Sequence, residues 1–143
     1  MYSNKTQIAT LQSASAIGAD ANGTALKYDK PFSEALIMLD VTVAASTAAD
    51  TLNVFIDVSP DGGTTWINVG HFTEVVGDGG AVKHIMALNA DNPGATAVFD
   101  VIADAAAGAT RQIGISDRMR ARSVIVDDSA SAAFTFDVIA FLK

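Results

Sequence analysis

The sequence predicts an all-β fold: a single-domain antiparallel β-sandwich, jelly-roll or related Greek-key, of about eight short strands. Three observations carry that expectation. Apolar residues alternate with period two in several separate stretches, clusters of Gly, Asp, Asn and Ser punctuate them, and no stretch has the length and apolar stripe of an amphipathic helix. At 143 residues, half of them apolar, the chain suffices for one domain with a real core and is too short for two comfortable ones. Much of the apolar content is Ala and Val, and only 17% of residues are charged, which suits a compact domain or an assembly subunit and not a disordered chain.

Residues 1–30 are rich in Ser, Thr, Ala and Gly, with weak strand signals at Gln7 to Leu11 and Thr24 to Tyr28. With few large anchors they are expected to form an N-terminal arm or edge, and Pro31 marks the start of the sandwich proper, 31–143. Ala35 to Ala44 is the next strand, with Ile37, Leu39, Val41 and Val43 as its core face. The Ala-rich linker that follows, Ala44 to Asp50, is under two turns long and lacks an amphipathic stripe, so no long helix is expected there.

Thr51 to Phe72 reads as a β-hairpin. On its first arm Leu52, Val54, Ile56 and Val58 share one face, and Asn53, Phe55, Asp57 and Ser59 the other; the second arm is Trp66 to Val69. Pro60 fixes φ, Asp61 bonds nearby backbone, and Gly62 and Gly63 supply positive φ, so the turn is chemically specified. Beyond it, Glu74 to Gly80 is loop or short edge, Ala81 to Leu88 a strand, and Asn89 to Ala95 a turn. Ala97 to Ala103 resumes the strand pattern before a small-residue loop, Asp104 to Thr110. The last third reads as strands at Gln112 to Ile115, Met119 to Asp127 and Ala133 to Leu142.

Composition narrows the function. A net charge of −7 argues against nucleic-acid binding, which needs clustered cations to neutralise phosphate. No Lys or Arg lies between Lys30 and Lys83, whereas all four arginines fall between Arg111 and Arg122. That cluster is either a solvated strand edge or a basic patch that docks on an acidic neighbour. The absence of cysteine rules out disulfides, thiolate metal sites and a thiol nucleophile. No basic start followed by an apolar run suggests a signal peptide, and no stretch approaches the ~20 apolar residues of a membrane helix, so a soluble intracellular setting is expected.

Candidate chemistry is sparse. His71 and His84 are the only histidines, neither in a nucleophile setting, and His71 reads as structural. The carboxylate pairs Asp127 with Asp128 and Asp57 with Asp61 read as turn residues, since glycosidases need two carboxyls roughly 5 to 9.5 Å apart across a cleft. Asp50, Asp78, Asp127 and Asp128 offer loop oxygens for calcium without a recognisable spacing. Phosphate-loop, dinucleotide and zinc-protease motifs are missing. The expectation is therefore no enzyme and no cofactor.

Ser59, Asp61, Gly63, Thr65 and Trp66 match the Ser-x-Asp-x-Gly-x-Thr-Trp pattern of the Asp-box, resembling hairpins on sialidase-like propeller blades. It occurs once, without the repeat a propeller needs, so it describes a turn in which the Asp carboxylate organises amides and the indole covers the hairpin's end. A second resemblance covers about a third of the chain. FIDVSPDGGTTWINVGHF and GISDRMRARSVIVDDSASAAFTFDVIAF are similar, in order and spacing, to segments of small virion proteins of tailed bacteriophages. The chain departs from that pattern in having Val124 to Asp128 where an aromatic residue and a Gly-containing turn are usual. The resemblance implies a capsid decoration (cement) protein, often trimeric, held on the capsid exterior of the virion by the major capsid protein and assembled in the host cytoplasm. On that reading Arg118, Arg120 and Arg122, all of one parity, are the candidate donors to capsid carboxylates, and the first segment an arm for a neighbouring subunit. A carbohydrate-binding or tail-associated module stays open; its platform would come from Trp66, Tyr2 and Tyr28, while a small hydrolase would need a polar cleft.

Overall fold

The computed structural model describes residues 7–28, 32–89, 103–111, 116–127 and 132–143. Ten strands and no helix occupy the described residues: β1 (Gln7–Ile17), β2 (Ala21–Asn22), β3 (Leu26–Lys27), β4 (Glu34–Val43), β5 (Thr51–Ser59), β6 (Ile67–His71), β7 (Val75–Val76), β8 (Val82–Asn89), β9 (Arg118–Val126) and β10 (Phe134–Leu142). They form two antiparallel sheets, one in the order β1-β10-β4-β8 and the other in the order β2-β9-β5-β6, with β3 also on β9 and β7 also on β5. The protein is an all-β sandwich. Its pairings are nested: β1 with β10, β2 and β3 with β9, β4 with β8, β5 with β6.

The core lies between the sheets and follows from alternation. On β10, Phe134, Phe136, Val138, Ala140 and Leu142 point inward, and on β4 Ile37, Leu39 and Val41 meet them. The other sheet answers with Leu52, Val54, Ile56 and Val58 of β5, Val69 of β6 and Met119 of β9, closing one apolar cluster.

Several expectations shift. The N-terminal segment is more ordered than its composition suggests, because β1 runs to Ile17 and places Leu11 in the core. The strand expected at Thr24 to Tyr28 is shortened to β3, and ahead of it Gly23, following β2, donates its N–H to Ala121 O at 2.8 Å while Thr24 N–H bonds Leu11 O at 2.8 Å. A Cβ at Gly23 would sit 2.0 Å from Leu11 O, so the chain threads between two sheets at a point only glycine fits. Val43, expected inside, is 56% exposed. The register steps from Phe136↔Val41 to Thr135↔Val43, and the extra residue at Thr42 breaks the alternation. The strand expectations at 97–103 (apart from Ala103) and 112–115, the Asn89 to Ala95 turn beyond Asn89, and Asp128 and Tyr2 lie outside the described residues.

The largest departure concerns the outer face of β5. Phe55, Asp57 and Ser59 are buried although their parity points away from the core. The segment 103–111 folds back beside Phe55 and Asp57, its Thr110 bridging Gly70 and its Arg111 N–H bonding Val69 O at 2.8 Å, while Ser59 is held by the hairpin turn and Asp117.

Phe136→Ala is expected to cost about 3–5 kcal/mol, as a buried aromatic truncation does, and Val43→Ala less than about 0.5 kcal/mol. Urea titration with unchanged m-value checks this; equal losses would contradict the assigned faces.

Candidate functional site

The hairpin turn is built on two oxygens. Ser59 Oγ accepts from Gly63 N–H at 2.8 Å and donates to Asp61 Oδ1 at 2.9 Å, and that same Oδ1 accepts from Thr65 N–H at 2.7 Å. Gly62 and Gly63 take φ of 76° and 95°, the left-handed values that the Asp-Gly-Gly run provides at no steric cost. The Thr65 amide is the main cause holding the Asp61 carboxyl below the usual carboxylate range, with the Thr65 and Ser59 hydroxyls assisting. Asp117 locks the turn to the next sheet strand, accepting from Gly62 N–H at 3.3 Å and donating its own N–H to Ser59 O at 2.9 Å. The Trp66 ring lies along the turn, 3.6 Å from where a Gly63 Cβ would be.

Beside the turn, antiparallel pairing of β5 with β9 sets Ser59, Asp57 and Phe55 opposite Arg118, Arg120 and Arg122. Asp57, with only 4% of its side chain exposed, gathers the two inner arginines: Arg122 Nε at 3.0 Å and Arg120 Nε at 3.3 Å. Arg122 also reaches Asp104 Oδ1 at 2.7 Å. Burial works to lower the Arg122 pKa, but the bonds and charges of Asp57 and Asp104 outweigh it and hold the guanidinium above its usual range. Both cations cover aromatic faces, Arg120 over Trp66 and Arg122 over Phe55, each 4.2 Å from the ring centroid. Arg118 stands apart, 3.8 Å from Asp117, with a buried Nε that has no hydrogen-bond partner among the described residues.

A polar network extends this row under 103–111. Asn68 Nδ2 donates to Asp57 Oδ1 at 3.2 Å and Gly70 O at 3.0 Å, while its Oδ1 accepts from Ala105 N–H at 2.8 Å. His71 stacks on Phe55, 4.0 Å between centroids, and its ring nitrogens meet Ala105 O at 3.0 Å and Asn53 Oδ1 at 2.8 Å. His71 is therefore held by backbone and amide groups. His84 lies on β8 and, with His71, Lys83 and Thr110, lines a groove of about 230 Å³ that has no carboxylate among its described lining residues. Asp57 and Asp61 do not converge; one sits in the arginine row and the other in the turn. Among the described residues no group of three or more His, Asp or Glu side chains is placed to hold a metal ion.

The sequence reading located the turn residues and the arginine parity but not Asp57, Asn68 and Asp104, which join them. A charged residue amid β5's apolar run was the available signal, since a mid-strand carboxylate needs a cation. The consequence is that the row is not three outward donors: Arg120 and Arg122 turn their Nε groups to Asp57, and Arg118 is the remaining candidate for an outside carboxylate.

Asp57→Ala leaves two arginines without their buried counter-charge and is expected to cost about 3–5 kcal/mol, read by urea unfolding; a loss under about 1 kcal/mol would refute the central role of that carboxylate. For Asp61 the folded-state pKa is depressed, so its contribution to stability is full above the unfolded carboxylate pKa of about 3.9 and is lost as pH falls through the lower folded value. Carboxyl NMR titration should place the Asp61 midpoint below that reference, and Ser59→Ala should move it upward; an unshifted midpoint contradicts the turn geometry. Comparison with known proteins gives no match: no family model, no characterised protein and no solved structure is significantly similar to the chain.

Proposed function

We propose that this chain is a non-enzymatic structural protein of a tailed-phage virion, a decoration or cement protein that binds the capsid exterior and stabilises the shell. The observation that carries the reading is the union of the two resembling segments. The hairpin strand β5 and the arginine strand β9, more than fifty residues apart, pair along their whole length, with Asp57 opposite Arg120 and Phe55 opposite Arg122. Segments that resemble virion proteins separately thus make one continuous surface. The nested strand pairing supports the jelly-roll form of the sandwich.

Shell stabilisation asks for a rigid body with repeated contacts to its neighbours, and multivalent attachment supplies retention without a deep pocket. The partners proposed are the major capsid protein and further copies of the chain, at the capsid surface after assembly in the host cytoplasm. Arg118 is the side chain of the basic row best placed to meet a capsid carboxylate. Residues from Gln7 to Ile17 are not an arm that orders on a neighbour, because they pair with β10 within the chain.

Co-sedimentation with empty capsids tests this directly. Wild-type protein should pellet at a saturating, symmetric stoichiometry, and Arg118→Glu should weaken binding at least about tenfold with little change in thermal unfolding. Protein that stays in the supernatant at every shell concentration would remove the decoration reading and favour a tail-associated or glycan-binding module.

A further inference from the structure

The two outer faces of the sandwich differ in kind. That of the six-stranded sheet is filled by the Asp57 network, whereas that of the four-stranded sheet is uncovered among the described residues and largely apolar beside one charged row, unlike the usual polar outer face of an antiparallel sheet. The registers of β1, β10, β4 and β8 align its outward residues in rows. One row is Ile8, Phe141, Leu36, Ala87; the next is Thr10, Ile139, Met38, Ile85; a third is Asp137, Asp40, Lys83. Ile8, Leu36 and Ile85 are 65%, 46% and 58% exposed.

The charged row is incomplete. Lys83 pairs with Asp40 on β4, its cross-strand neighbour. Asp137 faces Asp40 from the other side, has no ion-pair partner among the described residues, and carries an Oδ1 that is buried without a hydrogen bond. Like charges directly opposite are unfavourable. Burial first, and the Asp40 charge second, hold the Asp137 carboxyl above its usual range against the smaller opposing effect of the Lys83 charge.

We propose that this face binds a second copy of the same chain about a two-fold axis that lies in the face and runs along β4. Such an axis preserves height along the strands and exchanges left with right. It sets β4 on β4 and β8 on β10 of the other copy. Each row then meets itself reversed: Ala87 under Phe141, small against large; Ile85 against Ile139; Leu36 and Met38 on the axis against themselves; Asp40 also on the axis against its own copy, each neutralised by its Lys83; and Lys83 of one copy against Asp137 of the other, the carboxylate without an ion-pair partner among the described residues. Ile8 of one copy passes beyond β8 of the other, beside the groove that Lys83, Ile85 and Ala87 border. Aligned sheet packing rotates the sheets by about 30°, which moves a strand one spacing from the axis by under ~3 Å, less than the ~7 Å between rows. Three strands of each copy, β10, β4 and β8, lie face to face over an area roughly 14 Å wide and 30 Å long, about 430 Å² before side-chain relief, and β1 adds to it at the rim, against the ~800 Å² per partner of a standard interface. Self-complementarity of this kind is what an isologous contact requires.

This association does not depend on the capsid reading, and it is two-fold where the virion resemblance implies a trimer. The full chain is tested by light scattering across a wide concentration range. Wild-type protein should have the mass of two chains, and Ile85→Asp, an exposed change, should give one chain with an unchanged circular dichroism spectrum. Lys83→Asp and Asp137→Lys should each weaken the dimer at least about tenfold. Their combination should return it to within about threefold of wild type, because the lysine introduced at 137 again neutralises Asp40 within the chain and the aspartate introduced at 83 again meets a cation across the axis. A monomer at the highest concentration, a trimer, or a double variant no tighter than the single ones would overturn the proposal.

Discussion

A carboxylate in a strand buried on both faces has to be neutralised where it stands, and much of this molecule is arranged around doing that for Asp57. Two guanidinium groups and an amide converge on it. Each of them then holds something else. Asn68 fixes the backbone of Ala105, Arg122 fixes Asp104 and covers Phe55, Phe55 stacks on His71, and His71 returns to Ala105 O. The carboxylate thereby ties β5, β6, β9 and the returning segment 103–111 into one layer. Charge-assisted hydrogen bonds are worth about 1.5–3 kcal/mol each, and a satisfied buried network loses far more than one bond when a member is removed.

The two sheets answer the same demand in opposite ways. A β-sandwich gives each sheet an inner face for the core and an outer face that water, another segment or another molecule must cover. On the six-stranded sheet the chain covers itself, using charges that would be costly to bury singly but are paired as they are buried. The four-stranded sheet has no such cover among the described residues, and its strands carry Leu36, Ile85 and Ile8 outward instead. Among the described residues, the molecule thus has one side stiffened by polar interlock and another whose outward residues are largely apolar beside one charged row.

How much of this was legible in the sequence depends on the range of the interaction. The alternation of β4, β5 and β10 and the Ser-Pro-Asp-Gly-Gly turn are local, set by neighbours within a few residues, and they are visible as patterns. The fold class followed from them. The parity of Arg118, Arg120 and Arg122 is local too, but the fate of their charges is decided by Asp57 and Asp104, which approach only when β9 lies along β5. Val43 illustrates the same limit at a smaller scale: its own strand pattern points it inward, and the bulge that turns it outward is a property of the pairing with β10. The Ala, Ser and Thr of residues 7–17 give little sign of a strand because β1 draws its order from the backbone ladder of β10.

The nested pairing has a consequence for how the chain reaches this state. β10, the last strand, lies between β1 and β4 in the middle of its sheet, with Gln7 paired to Leu142. During synthesis the strand β1, apart from the single bond from Thr24 N–H to Leu11 O, has no strand neighbour until residues 134–142 have left the ribosome. Folding of the four-stranded sheet therefore waits on a closure between strands far apart in sequence, which belongs to the slow, high-contact-order class. Until that strand inserts, β1 and β4 face each other across an empty slot, an opening the size of one strand through which a neighbouring chain's copy of β10 would fit as well as the chain's own.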